Sequence, residues 1–144
     1  YVKAGGFDKN VDRWQIINFT PPSSIRLDVG ACDTGTGAPE GKRVGGINMR
    51  NLNGITPETE TTTHYFWAQA HNFNVDNPDV TELVYQQVHA AFSEDIEVFE
   101  EQQALIDREP QAPRINLSGD VGGLAAVEII DKLVAEENQS MAAE

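Results

Sequence analysis

The sequence predicts one α+β domain in which an antiparallel, curved sheet packs on a long C-terminal helix. A length of 144 residues with 40% hydrophobic content allows one sizeable core and leaves no room for two. Apolar and polar residues alternate across residues 14–73, whereas the period becomes helical after residue 78. Strands followed by helices indicate an α+β layered fold, and residues 1–144 are expected to form one domain.

Four strands are expected in the first half of the chain. In the second of them, Ile25, Leu27 and Val29 alternate with polar residues, which is typical of a half-buried strand. Segments containing Pro, Gly and Thr separate the strands and predict turns. The expected strands cover residues 14–19, 24–31, 43–55 and 60–73, and their order predicts an antiparallel meander.

Two helices are expected in the second half. The first covers residues 79–107, and Pro78 sits acceptably at its start, where a backbone N–H is not needed. The second covers residues 121–137, and Asp120 is placed to cap it. The sequence therefore predicts a long helix followed by a shorter one.

Composition excludes several classes of partner. With 10 basic and 23 acidic residues, the formal charge of -13 opposes binding to nucleic acid and to anionic membrane surfaces. No stretch approaches the roughly 20 apolar residues that a membrane span requires. The single cysteine, Cys32, excludes an internal disulfide and a Cys-rich metal cluster in this chain, which favours a reducing, cytoplasmic setting.

The first predicted helix has an apolar stripe at the spacing of one packed face, formed by Val84, Val88, Ala91, Phe92, Val98, Phe99, Leu105 and Ile106. Asp95 interrupts this face. Val88, Phe92 and Phe99 surround it at helical spacing, so the phase turns its carboxylate toward the packed side. A buried carboxylate must be paired, protonated or bound to a metal. Helical phase also allows Asp95 to lie at the edge of this face and reach water. In the first case, Asp95 is a candidate for the carboxylate of a two-histidine, one-carboxylate Fe(II) site.

The three histidines do not complete such a site. His64 and His71 differ in strand parity, so they are expected on opposite faces of one strand. His89 and Asp95 are separated by about 240° around a helix, so their side chains diverge. If Asp95 binds iron, the remaining ligands are expected outside this chain.

Four segments carry a family resemblance. They are residues 23–30 (SSIRLDVG), residues 56–60 (TPETE), residues 64–67 (HYFW) followed by Asn72-Phe73, and Glu94-Asp95 ahead of Gln102-Gln103. In this order they resemble the C-terminal catalytic domain of Rieske non-haem iron aromatic oxygenases, in particular the vanillate O-demethylase oxygenase group. The resemblance implies a helix-grip fold of the START/Bet v1 type, with Asp95 as the metal ligand.

The resemblance also implies cofactors that this chain does not hold by itself. In the family, a preceding Rieske domain carries a [2Fe-2S] cluster on two Cys and two His, and a mononuclear Fe(II) activates O2 against an aromatic substrate. The family's two histidine ligands and its Rieske ligands have no counterpart here. We therefore expect an incomplete domain, inactive alone, whose full-length parent takes electrons from an NAD(P)H-dependent reductase and forms a homotrimer.

The implied reaction is removal of a methyl group from an aryl ether, or hydroxylation, in an aromatic small-molecule substrate. The strands around Asn53 and His64 correspond to the sheet that lines the family's substrate pocket, which makes these two residues candidate substrate contacts. Relatives often carry Arg where this chain has His71, so the role of that Arg is open here.

Two other functions remain open at this point. A curved sheet gripping a helix can form an apolar cavity without iron, so the chain could be a non-catalytic helix-grip domain that binds a hydrophobic small molecule. Its acidity would also suit an interaction module without pocket chemistry.

Overall fold

The computed structural model describes residues 6–113 and 115–142. It contains a four-stranded antiparallel sheet in the order β1-β2-β3-β4, followed by helices. The elements are β1 (Val11–Thr20), β2 (Ser24–Asp33), β3 (Ile47–Pro57), β4 (Thr63–His71), α1 (Pro78–Arg108), a 3-10 turn (Ser118–Asp120) and α2 (Val121–Met141). The predicted α+β class with an antiparallel sheet and a long helix is confirmed.

Turns shorten two of the expected strands. β3 begins at Ile47 rather than at residue 43, because the Gly46 amide donates to the Arg43 carbonyl at 3.2 Å and Gly45 adopts a φ of 77°. β4 begins at Thr63 rather than at residue 60, because the Glu58 amide donates to the Thr62 carbonyl at 3.0 Å. In both places a local turn hydrogen bond replaces the sheet pairing that the pattern predicted.

The sheet has two chemically different faces. Because side chains alternate along a strand, the register places Leu27 and Asn51 on one face and Asp28 and Arg50 on the other. The first face is called the inner face. Its side chains and those of α1 together line a cleft. The second, the outer face, is approached by the loop that precedes β3, because Arg43 reaches Asp28 and Gly46 lies close to Cys32 Sγ.

Helix α1 begins with a side-chain cap. The Asn77 side chain accepts a hydrogen bond from the Asp79 amide at 3.0 Å, and Pro78 follows in the first turn, which satisfies a backbone donor that the helix cannot pair internally. The first half of α1 packs on the inner face, where Val84 is 6% exposed.

The second half of α1 does not pack in the same way. Val98 and Phe99 are each 62% exposed, and Leu105 and Ile106 are also exposed. Their helical spacing was expected to make one continuous packed stripe, so that expectation is wrong for this half. The described strands supply a surface for only the first part of the helix.

Helix α2 differs from the prediction at its start. Asp120 occupies the N-cap position, but its side chain makes no capping bond to α2. Its carboxylate instead accepts a hydrogen bond from the Leu117 amide at 2.7 Å. Asp120 therefore stabilises the turn before the helix, and the apolar residues Leu124 and Val127 of α2 stay exposed.

Candidate functional site: a carboxamide-lined cleft between sheet and helix

A cleft of about 340 Å³ lies between the inner face of the sheet and the first half of α1. Its walls include Leu27 and Met49 from the sheet and Val88 and Phe92 from the helix. Clefts of this size and apolar character are where proteins bind small organic molecules. The helical spacing of Val84, Val88 and Phe92 placed them correctly, because α1 presents that stripe to the sheet.

The polar side chains of this cleft are all uncharged. Gln15, Asn51, Gln69 and Gln87 contribute carboxamides, and no Asp, Glu, Lys or Arg among the described residues belongs to the lining. The cleft can therefore give and accept hydrogen bonds but does not itself neutralise a charged group.

Asn51 and Asn53 are the two buried polar residues of the described chain, at 5% and 4% exposure. The side-chain Nδ2 of Asn51 donates to the Ala68 carbonyl at 3.3 Å and to Gln69 Oε1 at 3.1 Å. Within the described part of the chain, the Oδ1 atoms of both asparagines have no hydrogen-bond partner. Buried acceptors are usually paired, so these two oxygens mark the polar centre of the inner face.

The aromatic side chains at the margin of the cleft hold β4 against α1. Trp67 stacks on Tyr85 with ring centroids 5.5 Å apart, and Phe92 meets the edges of Trp67 and Tyr65, each at 5.5 Å. Such contacts contribute about 0.5–1.5 kcal/mol each beyond the area they bury. They fix the width of the cleft.

His71 ties the end of β4 to the start of α1. Its Nδ1 lies 2.8 Å from the Phe73 carbonyl oxygen, which can only accept, so Nδ1 carries the proton. Its Nε2 lies 2.9 Å from Thr81 Oγ1. With both nitrogens engaged, His71 has a positioning role in this chain. It also lines a second cleft of about 480 Å³, together with Trp67, Tyr85 and His89.

Asp95 lies on α1 beyond the end of the cleft, and it is exposed. Its carboxylate therefore reaches water in the described chain, which is the second of the two positions that helical phase allowed. It nevertheless acts on the aromatic margin. Burial raises the pKa of the Tyr65 hydroxyl above its ordinary 10.0, and the negative charge of Asp95 raises that pKa further.

The two candidate substrate contacts are not brought together. Asn53 pairs with Trp67 across β3 and β4, whereas His64 pairs with Thr56, so alternation places Asn53 on the inner face and His64 on the outer face. His64 is exposed and lies 3.5 Å from Glu58 Oε1. The opposed faces of His64 and His71 agree with their strand parity.

The described residues do not form a metal centre by themselves. No group of three or more His, Cys, Asp or Glu side chains is arranged to hold an ion within residues 6–113 and 115–142. A facial Fe(II) site needs two histidines and a carboxylate, and His89 does not join Asp95. Of the three ligands of such a site, the described chain offers a candidate for one, the carboxylate of Asp95.

A charged cluster on the outer face was not anticipated from the sequence. Asp28 accepts hydrogen bonds from Trp14 Nε1 at 2.9 Å, from Arg43 Nη1 at 2.6 Å, and from Arg50. Arg43 also lies over the Trp14 ring at 4.5 Å. Burial by itself raises the pKa of Asp28, but the hydrogen bonds from Arg43 and Trp14 and the two arginine charges outweigh it and lower that pKa. The sequence signals that could have predicted this cluster are the alternation of side chains along β2 and β3 and the opposite charges on them.

Among the described residues, no helix has the combination of length and apolar character needed to cross a membrane. The described part of the chain is an α+β unit with an apolar, carboxamide-containing cleft against its long helix, and clefts of this kind are typical of proteins that bind small molecules.

Comparison with known proteins identifies the family. The profile of the vanillate O-demethylase oxygenase C-terminal domain matches residues 1–136, and the chain belongs to this family. A putative toluene-4-sulfonate monooxygenase system iron-sulfur subunit from Comamonas testosteroni is 42% identical over 92% of the chain and 38% of that protein. No solved structure matches the chain.

Two further relatives broaden the family. A vanillate O-demethylase oxygenase subunit from a Pseudomonas species is 35% identical over 94% of the chain and 41% of that protein. The oxygenase component of a dicamba O-demethylase from Stenotrophomonas maltophilia is 27% identical over 89% of the chain and 37% of that protein. The chain thus spans about two fifths of the length of these relatives.

Proposed function

We propose that this chain is the C-terminal part of the oxygenase component of a Rieske-type system that demethylates an aryl ether or hydroxylates an aromatic small molecule. The observation that carries the proposal is the family match over residues 1–136. Relatives named as oxygenase subunits or components support it. Electrons would come from an NAD(P)H-dependent reductase, and O2 would be the second substrate.

Asp95 is the residue that we assign to the mononuclear iron. It is the position to which the family resemblance points, and it lies one turn beyond Phe92 at the end of the cleft. Fe(II), when bound, supplies open coordination positions for O2. The two histidine ligands and the [2Fe-2S] cluster belong to residues outside this chain.

The cleft residues would position the aromatic substrate. The apolar side chains of Leu27, Val88 and Phe92 would contact the aromatic ring, and the aromatic contacts between β4 and α1 hold the cleft walls in place. Asn53 lies on the inner face but does not belong to the lining of this cleft, so its role as a substrate contact stays a prediction. The corresponding role for His64 stays a prediction, and its outer-face position in this chain gives it no route to the cleft.

Assembly and location are part of the same proposal. We assign a homotrimer, a helix-grip arrangement and a cytoplasmic setting to the full-length protein. The exposed apolar residues on the second half of α1, such as Val98 and Phe99, support burial against further protein. Cys32 as the single cysteine supports a reducing compartment.

The test compares iron content and O2-dependent turnover in the full-length protein and in its Asp95→Ala variant. Glu94→Ala serves as the matched control, because it removes a carboxylate from the adjacent helix position. We expect Asp95→Ala to lose iron and turnover, and Glu94→Ala to keep both. Unchanged iron in Asp95→Ala would refute the assignment.

A carrier of hydrophobic small molecules is the second candidate. The mostly aliphatic and aromatic lining of the cleft favours this function. A full-length protein that binds aromatic compounds but holds no iron would support the carrier over the oxygenase.

A further inference from the structure

Strand β4 forms an edge of the sheet that lacks the usual protection. Among the described strands, only β3 pairs with it, and a strand at an edge presents backbone N–H and C=O groups that can pair with another strand. Natural proteins protect an open edge by keeping it short or by placing charged residues and Pro on it. β4 is nine residues long and contains no Asp, Glu, Lys, Arg or Pro, whereas β1 at the opposite edge carries Asp12 and Arg13.

The pairing of β3 with β4 shows which backbone groups are directed to this edge. The Asn72 amide donates to the Asn48 carbonyl at 3.1 Å. The Glu58 amide donates to the Thr62 carbonyl at 3.0 Å. Both pairs continue the register of the two strands, and hydrogen-bonded pairs alternate with non-hydrogen-bonded pairs in an antiparallel ladder. Even-numbered residues of β4 therefore bond to β3, and its odd-numbered residues direct their N–H and C=O groups away from β3.

The second cleft, of about 480 Å³, follows this edge. Its lining includes three consecutive residues of β4, which are Trp67, Ala68 and Gln69. Because neighbouring side chains of a strand point to opposite faces of the sheet, a cleft that borders all three reaches around the edge of the strand. Helix α1 supplies the opposite wall with Val84 and Tyr85. The backbone groups of Trp67 and Gln69 therefore project toward the space between β4 and α1.

The walls of this space define the chemistry of a strand that would occupy it. An added strand bonds to the edge through its main chain, and its alternate side chains contact the surfaces on either side. On the inner side, these side chains would meet Val84, Tyr85 and Trp67. On the outer side, they would meet Ala68 and Phe66, which is 62% exposed. An extended segment that carries apolar side chains fits both sides.

We infer that the edge of β4 pairs with an extended, apolar segment from the part of the same polypeptide that precedes this chain. This inference rests on the proposed function, because it takes the chain as the C-terminal part of a longer protein. The chain spans 38% of its relative from Comamonas testosteroni, so most of such a protein is available to supply the segment. A tethered segment also has a high effective concentration at the edge, which favours it over a second copy of the chain.

Hydrogen exchange of single backbone amides in the full-length protein tests this pairing. The amides of Phe66 and Ala68 bond to β3 and serve as internal controls, and the exposed Glu60 in the turn before β4 represents an unpaired amide. We expect the amides of Trp67 and Gln69 to exchange within about tenfold of the rates of the two controls, and about a hundredfold more slowly than the Glu60 amide. Exchange of Trp67 and Gln69 as fast as that of Glu60 overturns the inference.

A pair of variants at one position tests the backbone donor directly. Gln69→Pro removes the N–H group that is directed to the edge, whereas Gln69→Ala keeps it, and both variants lose the same side chain. Pro is tolerated in an edge strand when its position faces solvent, and it removes a ladder bond when that position is paired. In the full-length protein, we expect Gln69→Pro to unfold at a lower urea concentration than Gln69→Ala. Equal midpoints of the two variants would contradict the pairing.

The remaining outcomes identify the occupant and separate this inference from the oxygenase assignment. Slow exchange of Trp67 and Gln69 that disappears when the protein is diluted to its monomer would assign the edge to a second copy and overturn the inference. Iron content of the same preparations reports on the oxygenase assignment. An iron-containing protein with a rapidly exchanging edge refutes only the pairing, and an iron-free protein with a protected edge refutes only the iron assignment.

Discussion

The two faces of the sheet differ in how completely their polar side chains are hydrogen-bonded. On the outer face, Asp28 is surrounded by donors from Trp14, Arg43 and Arg50. On the inner face, Asn51 is more deeply buried and keeps an acceptor without a partner in the described chain. A fully paired polar group stabilises a fold, whereas a buried acceptor without a partner costs about 1–3 kcal/mol. The contrast separates a cluster that stabilises the sheet from a buried acceptor that opposes its stability.

The largest effect is expected from Gly30→Val, which removes the space that the Trp14 ring of the outer-face cluster occupies. A Cβ at Gly30 would collide with the Trp14 ring and with the backbone oxygen of Ile47. Because the backbone oxygen cannot swing away, we expect a loss of about 3 kcal/mol in the free energy of unfolding. Urea unfolding measures this loss. A near-wild-type midpoint would show that Trp14 does not need the space above Gly30.

Asp28→Asn should have the next largest effect. It removes the negative charge that Arg43 and Arg50 share while keeping an acceptor for Trp14. We expect a loss of about 1–2 kcal/mol in unfolding free energy at neutral pH. Thermal unfolding of the variant and of the wild-type protein checks this. Equal stability would mean that the cluster contributes no more than a solvated ion pair.

The same carboxylate predicts a pH dependence. The pKa of Asp28 is lower in the folded protein than its ordinary value of 3.8, so the folded state holds the charged form more strongly than the unfolded state does. Its stabilising contribution is present above pH 3.8 and is lost as the pH falls through the lowered folded pKa. The stability difference between wild type and Asp28→Asn should therefore shrink on acidification below that value. A constant difference would contradict it.

On the inner face, Asn51→Leu should change stability less than Asp28→Asn does. The substitution removes an unpaired acceptor, which is favourable, but it leaves the Ala68 carbonyl and Gln69 Oε1 without their donor. These effects oppose each other, and we expect a net change of about 1 kcal/mol or less. Parallel urea titrations of the two variants give the comparison. A larger loss for Asn51→Leu would make Asn51 a structural residue instead.

The smallest effect concerns Tyr65 at the margin of the cleft. Burial, and then the charge of Asp95, raise the pKa of its hydroxyl above 10.0. Asp95→Asn removes the second cause only, so it should lower that pKa while leaving it above the ordinary value. Ultraviolet titration of the phenolate measures it, with Glu94→Asn as the control. An unchanged Tyr65 pKa would mean that the Asp95 charge is screened by water.

Helix α1 shows where sequence patterning succeeds and fails. The spacing of Val84, Val88 and Phe92 correctly predicted a packed face, because the strands supply a partner for it. Val98 and Phe99 follow the same spacing, but their side chains are exposed. Periodicity shows that a helix face is apolar and does not show what covers that face. Asp95 lies where these two halves meet, which is why phase alone left its environment open.

The sequence by itself determined the α+β class, the order of strands and helices, the parity of His64 and His71, and the family resemblance. These depend on local period and motif, which a linear chain records. Only the tertiary structure decided that Asn51 lacks a partner, that Asp28 collects donors from β1, β3 and the preceding loop, and that Asn53 and His64 face apart. Each of these depends on the register between strands distant in sequence, which single-strand periodicity does not specify.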